Sequence, residues 1–115
     1  MHDQAPTAAA TEWGEIADLY GELARLMPTP IVELNRAVAV AMAEGPQRGL
    51  HLLDTIPERA SLDGNHLYHA ARGDLLARLG RHQEATEEYT SALALATTTA
   101  EQKFLARRLD EVGRN

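Results

Sequence analysis

Apolar residues recur at steps of three and four along nearly the whole chain, which is the period of an amphipathic helix. The first stripe predicts a helix over residues 12–27, with Thr11 as its N-cap and the prolines at 28 and 30 ending it. The lone tryptophan lies on this stripe, which favours a core position over a role as an interface anchor. The predicted inward positions are Trp13, Ile16, Ala17, Tyr20, Leu23, Ala24 and Met27.

A second helix is predicted between Thr29 and Gly45. Thr29 suits the N-cap, Pro30 suits the first turn, and Gly45 closes the segment. The valines at 38 and 40 would also suit a strand, but the helical spacing and the caps favour a helix. Its predicted buried positions are Ile31, Leu34, Ala37, Val38, Ala41 and Met42.

Two further helices follow, separated by a loop. A short helix runs from Pro46 through Leu50 and Leu53 to about residue 55, and the stretch PERASLDGN at residues 57–65 is predicted to be a loop. The fourth helix then extends to a glycine stop at Gly80. Its predicted inward positions are Leu67, Tyr68, Ala71, Leu75, Leu76 and Leu79.

The last two segments complete an all-helical pattern. The fifth helix covers about residues 82–96, and the TTTAEQ stretch then offers two overlapping capping boxes, Thr98 with Glu101 and Thr99 with Gln102. Six helices and no strand predict an all-α fold. The inward positions of these two helices are Ala85, Tyr89, Ala92, Leu93, Ala96, Phe104, Leu105, Leu109 and Val112.

The glycine stops reveal a repeat. Gly45 and Gly80 are 35 residues apart, and each stands at the turn of a helical hairpin. A fixed period close to 34 residues is that of tetratricopeptide repeats, whose hairpins bury their apolar faces against their neighbours. The sequence therefore predicts a right-handed, tetratricopeptide-like solenoid of helical hairpins.

The second hairpin carries the more specific match, in GDLLARLGRHQEATEEYTSALAL. Small residues fit where helices cross closely, and an aromatic residue fits between successive hairpins. His69 stands where the repeat usually has an aromatic residue, and Thr97 where it usually has proline. The matching repeat positions are Gly73, Gly80, Ala85, Tyr89 and Ala92, with Gly45 as the counterpart of Gly80 in the first hairpin.

Composition narrows the function classes. The chain has 115 residues, no cysteine and a net charge of −6, which exclude disulfides and thiol chemistry and argue against direct nucleic-acid binding. The longest apolar run, residues 37–43, is far shorter than a membrane span. Residues 1–10 are expected to be a disordered lead or a fragment boundary, and residues 11–115 the helical domain. The lack of cysteine fits a cytoplasmic location.

Almost the whole chain resembles the C-terminal extension of a group of bacterial extracytoplasmic-function sigma factors. The most specific blocks are LNRAVAVA at residues 34–41 and HAARGDLLARLGR at residues 69–81. The resemblance implies a non-enzymatic regulatory domain that modulates transcription initiation in the cytoplasm. It would act through contacts with the sigma core, RNA polymerase or a signalling partner.

The residue types do not favour a metal site or an enzyme active site. His66 and His69 share a helix face near Asp63, but no third ligand with suitable spacing accompanies them, so structural roles are favoured over a metal site. No nucleophile lies beside a base, and no glycine-rich phosphate loop is present. We therefore expect neither a metal nor a cofactor nor enzymatic activity.

The predicted partner-binding face lies on the first helices of the two hairpins, which line the concave surface of tetratricopeptide solenoids. Asparagine and arginine there can hold an extended peptide or its carboxylate. The alternative is structural: Arg72 would form an internal ion pair with Asp74 or with a loop carboxylate and so fix adjacent helices. Because residues two apart on one helix do not face each other, a pair of Arg72 with Asp74 would have to be inter-helical. The candidate residues are Asn35, Arg36, His69, Arg72 and Asp74.

Two alternative functions stay open at this point. One is a stand-alone tetratricopeptide adaptor that binds a peptide without any link to transcription. The other is a sensor that holds a small molecule between its hairpins.

Overall fold

The computed structural model describes residues 8–114 and confirms the all-α prediction with six helices. No strand occurs between residues 8 and 114. Residues 1–7, which include most of the expected lead, lie outside the described residues. The helices are α1 (Ala8–Leu26), α2 (Pro30–Glu44), α3 (Pro46–Asp54), α4 (His66–Arg78), α5 (His82–Leu95) and α6 (Thr99–Gly113).

Most helix ends follow the predicted capping chemistry. The hydroxyl of Thr29 accepts a hydrogen bond from the backbone N–H of Val32 at 3.2 Å, and Thr98 forms the capping box with Glu101. At the start of α1 the prediction is wrong, because the helix already includes residues 8–10 and Thr11 lies inside it. The predicted loop also contains a short 3₁₀ turn, Arg59–Leu62, whose last residue is buried.

The chain divides into two compact units, at the boundary between residues 57 and 58. In the first unit α1 packs on α2, and α2 packs on α3. In the second unit α4 packs on α5, and α5 packs on α6. Each predicted hairpin, α2 with α3 and α4 with α5, therefore lies within one unit.

In the first unit α2 is buried on more than one side, since it has a neighbouring helix on each flank. Ala39 and Val40 join Ala17 of α1 in a core cluster, against which Trp13 and Tyr20 pack. The predicted single stripe omitted Ala39 and Val40 because it assumed one apolar face. The inward prediction is wrong for Ile16, Leu23, Met27, Ile31 and Met42, which are exposed.

The contact between α2 and α3 depends on Gly49, a position that the sequence pattern did not single out. A Cβ atom at Gly49 would lie 2.4 Å from the Cβ of Ala41 and 3.0 Å from the backbone oxygen of Ala37. The backbone of α3 therefore approaches α2 more closely than any side chain at this position would allow.

The second unit has its core where the repeat match predicts it. Ala85, Tyr89 and Ala92 are buried, and a Cβ at Gly73 would lie 3.1 Å from the ring of Tyr89. At Gly80, φ is +80°, and the backbone N–H groups of residues 80 and 81 bond back to the last turn of α4. The inward prediction is wrong for Leu67 and Phe104, which are exposed.

Candidate partner-binding surfaces

Asn35 and Arg36 project from different sides of α2. Asn35 is exposed and shares its face with Ile31, Val38 and Met42, which precede or follow it at helical spacing. Arg36 lies about 100° further around the helix. The Asn35 and Arg36 side chains therefore leave α2 in different directions.

Arg36 lies beside a small cleft at the end of α3. The cleft holds about 100 Å³. The Nη1 of Arg36 lies 3.9 Å from Oε1 of Glu33, and the side chain also passes close to Gly21 of α1. This guanidinium is half-exposed and loosely paired, so it is accessible to an external carboxylate. The residues lining the cleft are Glu33, Arg36, Leu52, Thr55, Ile56 and Pro57.

His69, Arg72 and Glu88 form a compact group between α4 and α5, here called the α4–α5 charge cluster. Glu88 accepts hydrogen bonds from Nδ1 of His69 at 2.7 Å and from Nη1 of Arg72 at 2.6 Å. The Nε2 of His69 lies 2.8 Å from the backbone oxygen of Asp63. Both ring nitrogens thus face oxygen atoms, one on α5 and one in the loop before α4. All three side chains are mostly buried.

Asp74 belongs to a second polar network, which joins α4, α5 and α6. Its carboxylate accepts a hydrogen bond from Nη2 of Arg108 at 2.9 Å and also pairs with Arg78. Arg108 donates in turn to the hydroxyl of Tyr89, at 3.1 and 3.2 Å from its two donor nitrogens. Burial raises the pKa of the Tyr89 phenol, so this hydroxyl stays neutral and serves as an acceptor.

His66 contributes to a different contact, between α4 and α6. Its Nε2 lies 3.0 Å from Oε2 of Glu101, although this nitrogen makes no hydrogen bond of acceptable angle. Burial raises the pKa of Glu101, but hydrogen bonds from Thr97 and Thr98 outweigh it, and the net pKa is lowered. An apolar cavity of about 80 Å³ lies beside this pair, lined by His66, Leu67, Ala70, Glu101, Phe104 and Leu105.

The two histidines therefore serve different helix contacts. His69 is held by α5 and by the loop before α4, whereas His66 faces α6. Among residues 8–114, no group of three or more His, Cys, Asp or Glu side chains is arranged to hold a metal ion. The geometry gives both histidines roles in joining helices.

Sequence reasoning missed Glu88 and Arg108, the residues that organise the two polar groups. Glu88 lies three residues after Ala85 and four before Ala92, both buried. Arg108 lies three residues after Leu105 and four before Val112, which are also buried. A charged side chain beside buried positions needs an oppositely charged or hydrogen-bonding partner inside the fold. The spacing of Glu88 and Arg108 relative to the apolar residues could therefore have marked both as members of polar contacts.

The candidate residues therefore differ in what they offer a partner. His69, Arg72 and Asp74 each contact a charged side chain on another helix of the second unit. Arg72 forms an internal ion pair with Glu88 of α5, a carboxylate that the structural alternative did not name. Asn35 and Arg36 lie in the first unit. A single concave face that includes all five residues stays a prediction.

The chain matches one part of a longer protein. An uncharacterized protein of Rhizobium meliloti (strain 1021) is 43% identical over 112 residues, which are 97% of this chain and 26% of that protein. The chain thus spans about a quarter of the length of the curated relative that it matches. No family model matches the chain, and no solved structure matches it. Within residues 8–114, no helix combines the length and the hydropathy needed to cross a membrane.

Proposed function

We propose that this chain is the C-terminal regulatory and protein-interaction domain of an extracytoplasmic-function sigma factor. It modulates transcription initiation in the bacterial cytoplasm by contacting the sigma core, RNA polymerase or a signalling partner. It catalyses no reaction, binds no cofactor and leaves DNA contacts to the other regions of its parent protein.

One observation carries the proposal. The two blocks with the most specific resemblance to that group of sigma factors lie on α2 and on α4 with the turn that follows it, and these are the first helices of the two hairpins. These helices present side chains to partners in tetratricopeptide-like proteins. The match to one quarter of a longer relative supports a module that works as part of a larger chain.

The polar groups of the second unit favour a structural role over a catalytic one. His69, Arg72 and Asp74 each have a carboxylate or guanidinium partner on another helix. Side chains fixed in this way hold helices in register, which keeps a binding surface preorganised.

The test uses the full-length protein that contains this chain. Core RNA polymerase is combined with the intact protein, or with a version that lacks residues 8–114, and run-off transcription is measured on a promoter that the intact protein recognises. We expect initiation to change while the shortened protein still binds the polymerase. Equal initiation by both forms, or a parent gene without sigma regions, would contradict the proposal.

The second candidate is a stand-alone adaptor for a protein partner, which the exposed apolar side chains of the first unit favour. The gene sequence upstream of residue 2 separates the two functions. An adaptor requires no promoter-recognition regions there, whereas the sigma-factor proposal requires them.

A further inference from the structure

Helix α1 carries a second apolar stripe that does not face the core of its unit. Its core side consists of Ala17 and Ala24, with Trp13 and Tyr20 packed against the cluster on α2. Leu19 and Leu26, by contrast, are 70% and 72% exposed. A row of exposed apolar residues on one helix face marks a binding surface more often than single apolar residues do.

The spacing of this stripe is that of a helix-pairing surface. Ile16, Leu19, Leu23 and Leu26 are separated by three, four and three residues, the alternation of the a and d positions in a heptad repeat. All four side chains are exposed by at least 36%. A partner helix with the same spacing could seat its own apolar residues between them. We call these four residues the α1 outer stripe.

The charges beside the α1 outer stripe restrict the partner. Glu15 and Glu22 each precede an a position, so both lie at g positions, which border the seam. Helix α1 has four carboxylates and one guanidinium, a net charge of −3. Glu22 forms an ion pair with Arg25, but both side chains are more than 60% exposed, and such pairs are easily exchanged.

We propose that the α1 outer stripe binds an amphipathic helix whose apolar residues follow the heptad spacing and are bordered by lysine or arginine. The g-position carboxylates attract that partner and repel an acidic one. The inference adds a surface and the chemistry of its partner to the proposed function. It stands on α1 alone, so it would hold for an adaptor as well.

A second copy of this chain fits the surface less well. An antiparallel pair of α1 helices would place Glu15 of one copy near Glu22 of the other, which is repulsive. In a parallel pair, the g positions of one copy would contact the e positions of the other. Tyr20 is at an e position, but its side chain is already packed against α2. The charge pattern therefore selects a basic partner.

The test measures binding of two synthetic peptides of three heptads each to the whole chain. Both have leucine at a and d; one has lysine at e and g, and the other has glutamate there. Fluorescence anisotropy of labelled peptide reports the Kd. We expect the lysine peptide to bind, the glutamate peptide to bind at least tenfold more weakly, and Leu19→Gln with Leu26→Gln to abolish binding. Leu67→Gln is the matched control, because Leu67 is an exposed leucine in the second unit.

Charge-reversal variants distinguish specific binding at the α1 outer stripe from general attraction of a basic peptide to an acidic protein. Glu15→Lys with Glu22→Lys should weaken binding of the lysine peptide about fivefold and allow the glutamate peptide to bind. Misfolding cannot produce this gain of binding. Glu87→Lys with Asp110→Lys changes the net charge equally and should leave the preference unchanged. The proposal is overturned if both charge variants behave alike. It is equally overturned if neither peptide binds, including the case in which α1 instead joins two copies of the chain.

Discussion

Replacing Gly49 by alanine should destabilise the first unit, although alanine favours helices over glycine. The added Cβ would lie 2.4 Å from the Cβ of Ala41, where carbon atoms normally stay about 3.5–4.0 Å apart. Two backbone atoms, the oxygen of Ala37 and the Cα of Ala41, would lie at 3.0 Å, so no side-chain rotation relieves the contact. Helix α3 would have to move away from α2.

The size of the effect follows from two opposing contributions. Overpacking costs about 1–3 kcal/mol, and a contact at 2.4 Å that involves backbone atoms belongs at the upper end, about 2–3 kcal/mol; the gain in helix propensity is about 1 kcal/mol. We therefore expect a net loss of about 1–2 kcal/mol in the free energy of unfolding. In a domain of this size that corresponds to a fall in Tm of about 4–16 °C.

The assay is urea and thermal unfolding followed by the fluorescence of Trp13, the single tryptophan, which belongs to the first unit. Gly14→Ala is the matched control, because Gly14 is also in a helix and has no atom within 4 Å of the added Cβ. It should raise stability by about 0.4–1 kcal/mol.

A double-mutant cycle isolates the contact. Ala41→Gly removes the atom at 2.4 Å and should couple to Gly49→Ala by at least about 1 kcal/mol. The reasoning is refuted if Gly49→Ala is as stable as the wild-type chain, or if the two substitutions are simply additive.

Three further predictions concern the second unit. Glu88→Gln should lower its stability by about 1–3 kcal/mol in chemical unfolding followed by circular dichroism, because it leaves the mostly buried guanidinium of Arg72 without its carboxylate. Glu87→Gln, at an exposed position, should change the stability by less than about 0.5 kcal/mol. Thr98→Ala should cost about 0.5–2 kcal/mol through loss of the N-cap of α6, and an unchanged Tm would contradict the capping role. The folded state lowers the pKa of Glu101, so the ionised carboxylate stabilises the fold above about pH 4.5, and this stabilisation is lost as the pH falls through the lowered pKa. Glu101→Gln should remove this pH-dependent part when the free energy of unfolding is measured against pH. Identical pH profiles of the variant and the wild-type chain would refute the prediction.

Local chemistry made the helix boundaries readable from the sequence. The caps at Thr29 and Thr98 and the stops at Gly45 and Gly80 depend on groups within a few residues of one another. Those interactions are encoded in short stretches, so spacing and residue type suffice to find them. Thr11 failed as a cap because the alanines before it continue the helix.

Which apolar residues are buried depends on which helices pack against one another, and the periodicity of a single helix does not contain this information. Periodicity gives one apolar stripe per helix, but α2 has two neighbouring helices and buries Ala39 and Val40 as well. Conversely, α1 has more apolar residues than its contact with α2 can cover. Leu19 and Leu26, which the predicted stripe left out, are exposed, and so are Ile16 and Leu23, which it included.

The amino-acid pattern alone predicted an all-helical chain, the caps at Thr29 and Thr98, the glycine stops, and the small and aromatic positions of the second hairpin, because these follow from local hydrogen bonding and helix period. The partners of the charged residues between helices, by contrast, depend on how the helices pack. Glu88 joins His69 to Arg72, and Arg108 joins Asp74 to Tyr89, across separations of 16 to 34 residues. Electrostatic pairing at such separations depends on helix packing, which brings together groups that no local spacing connects.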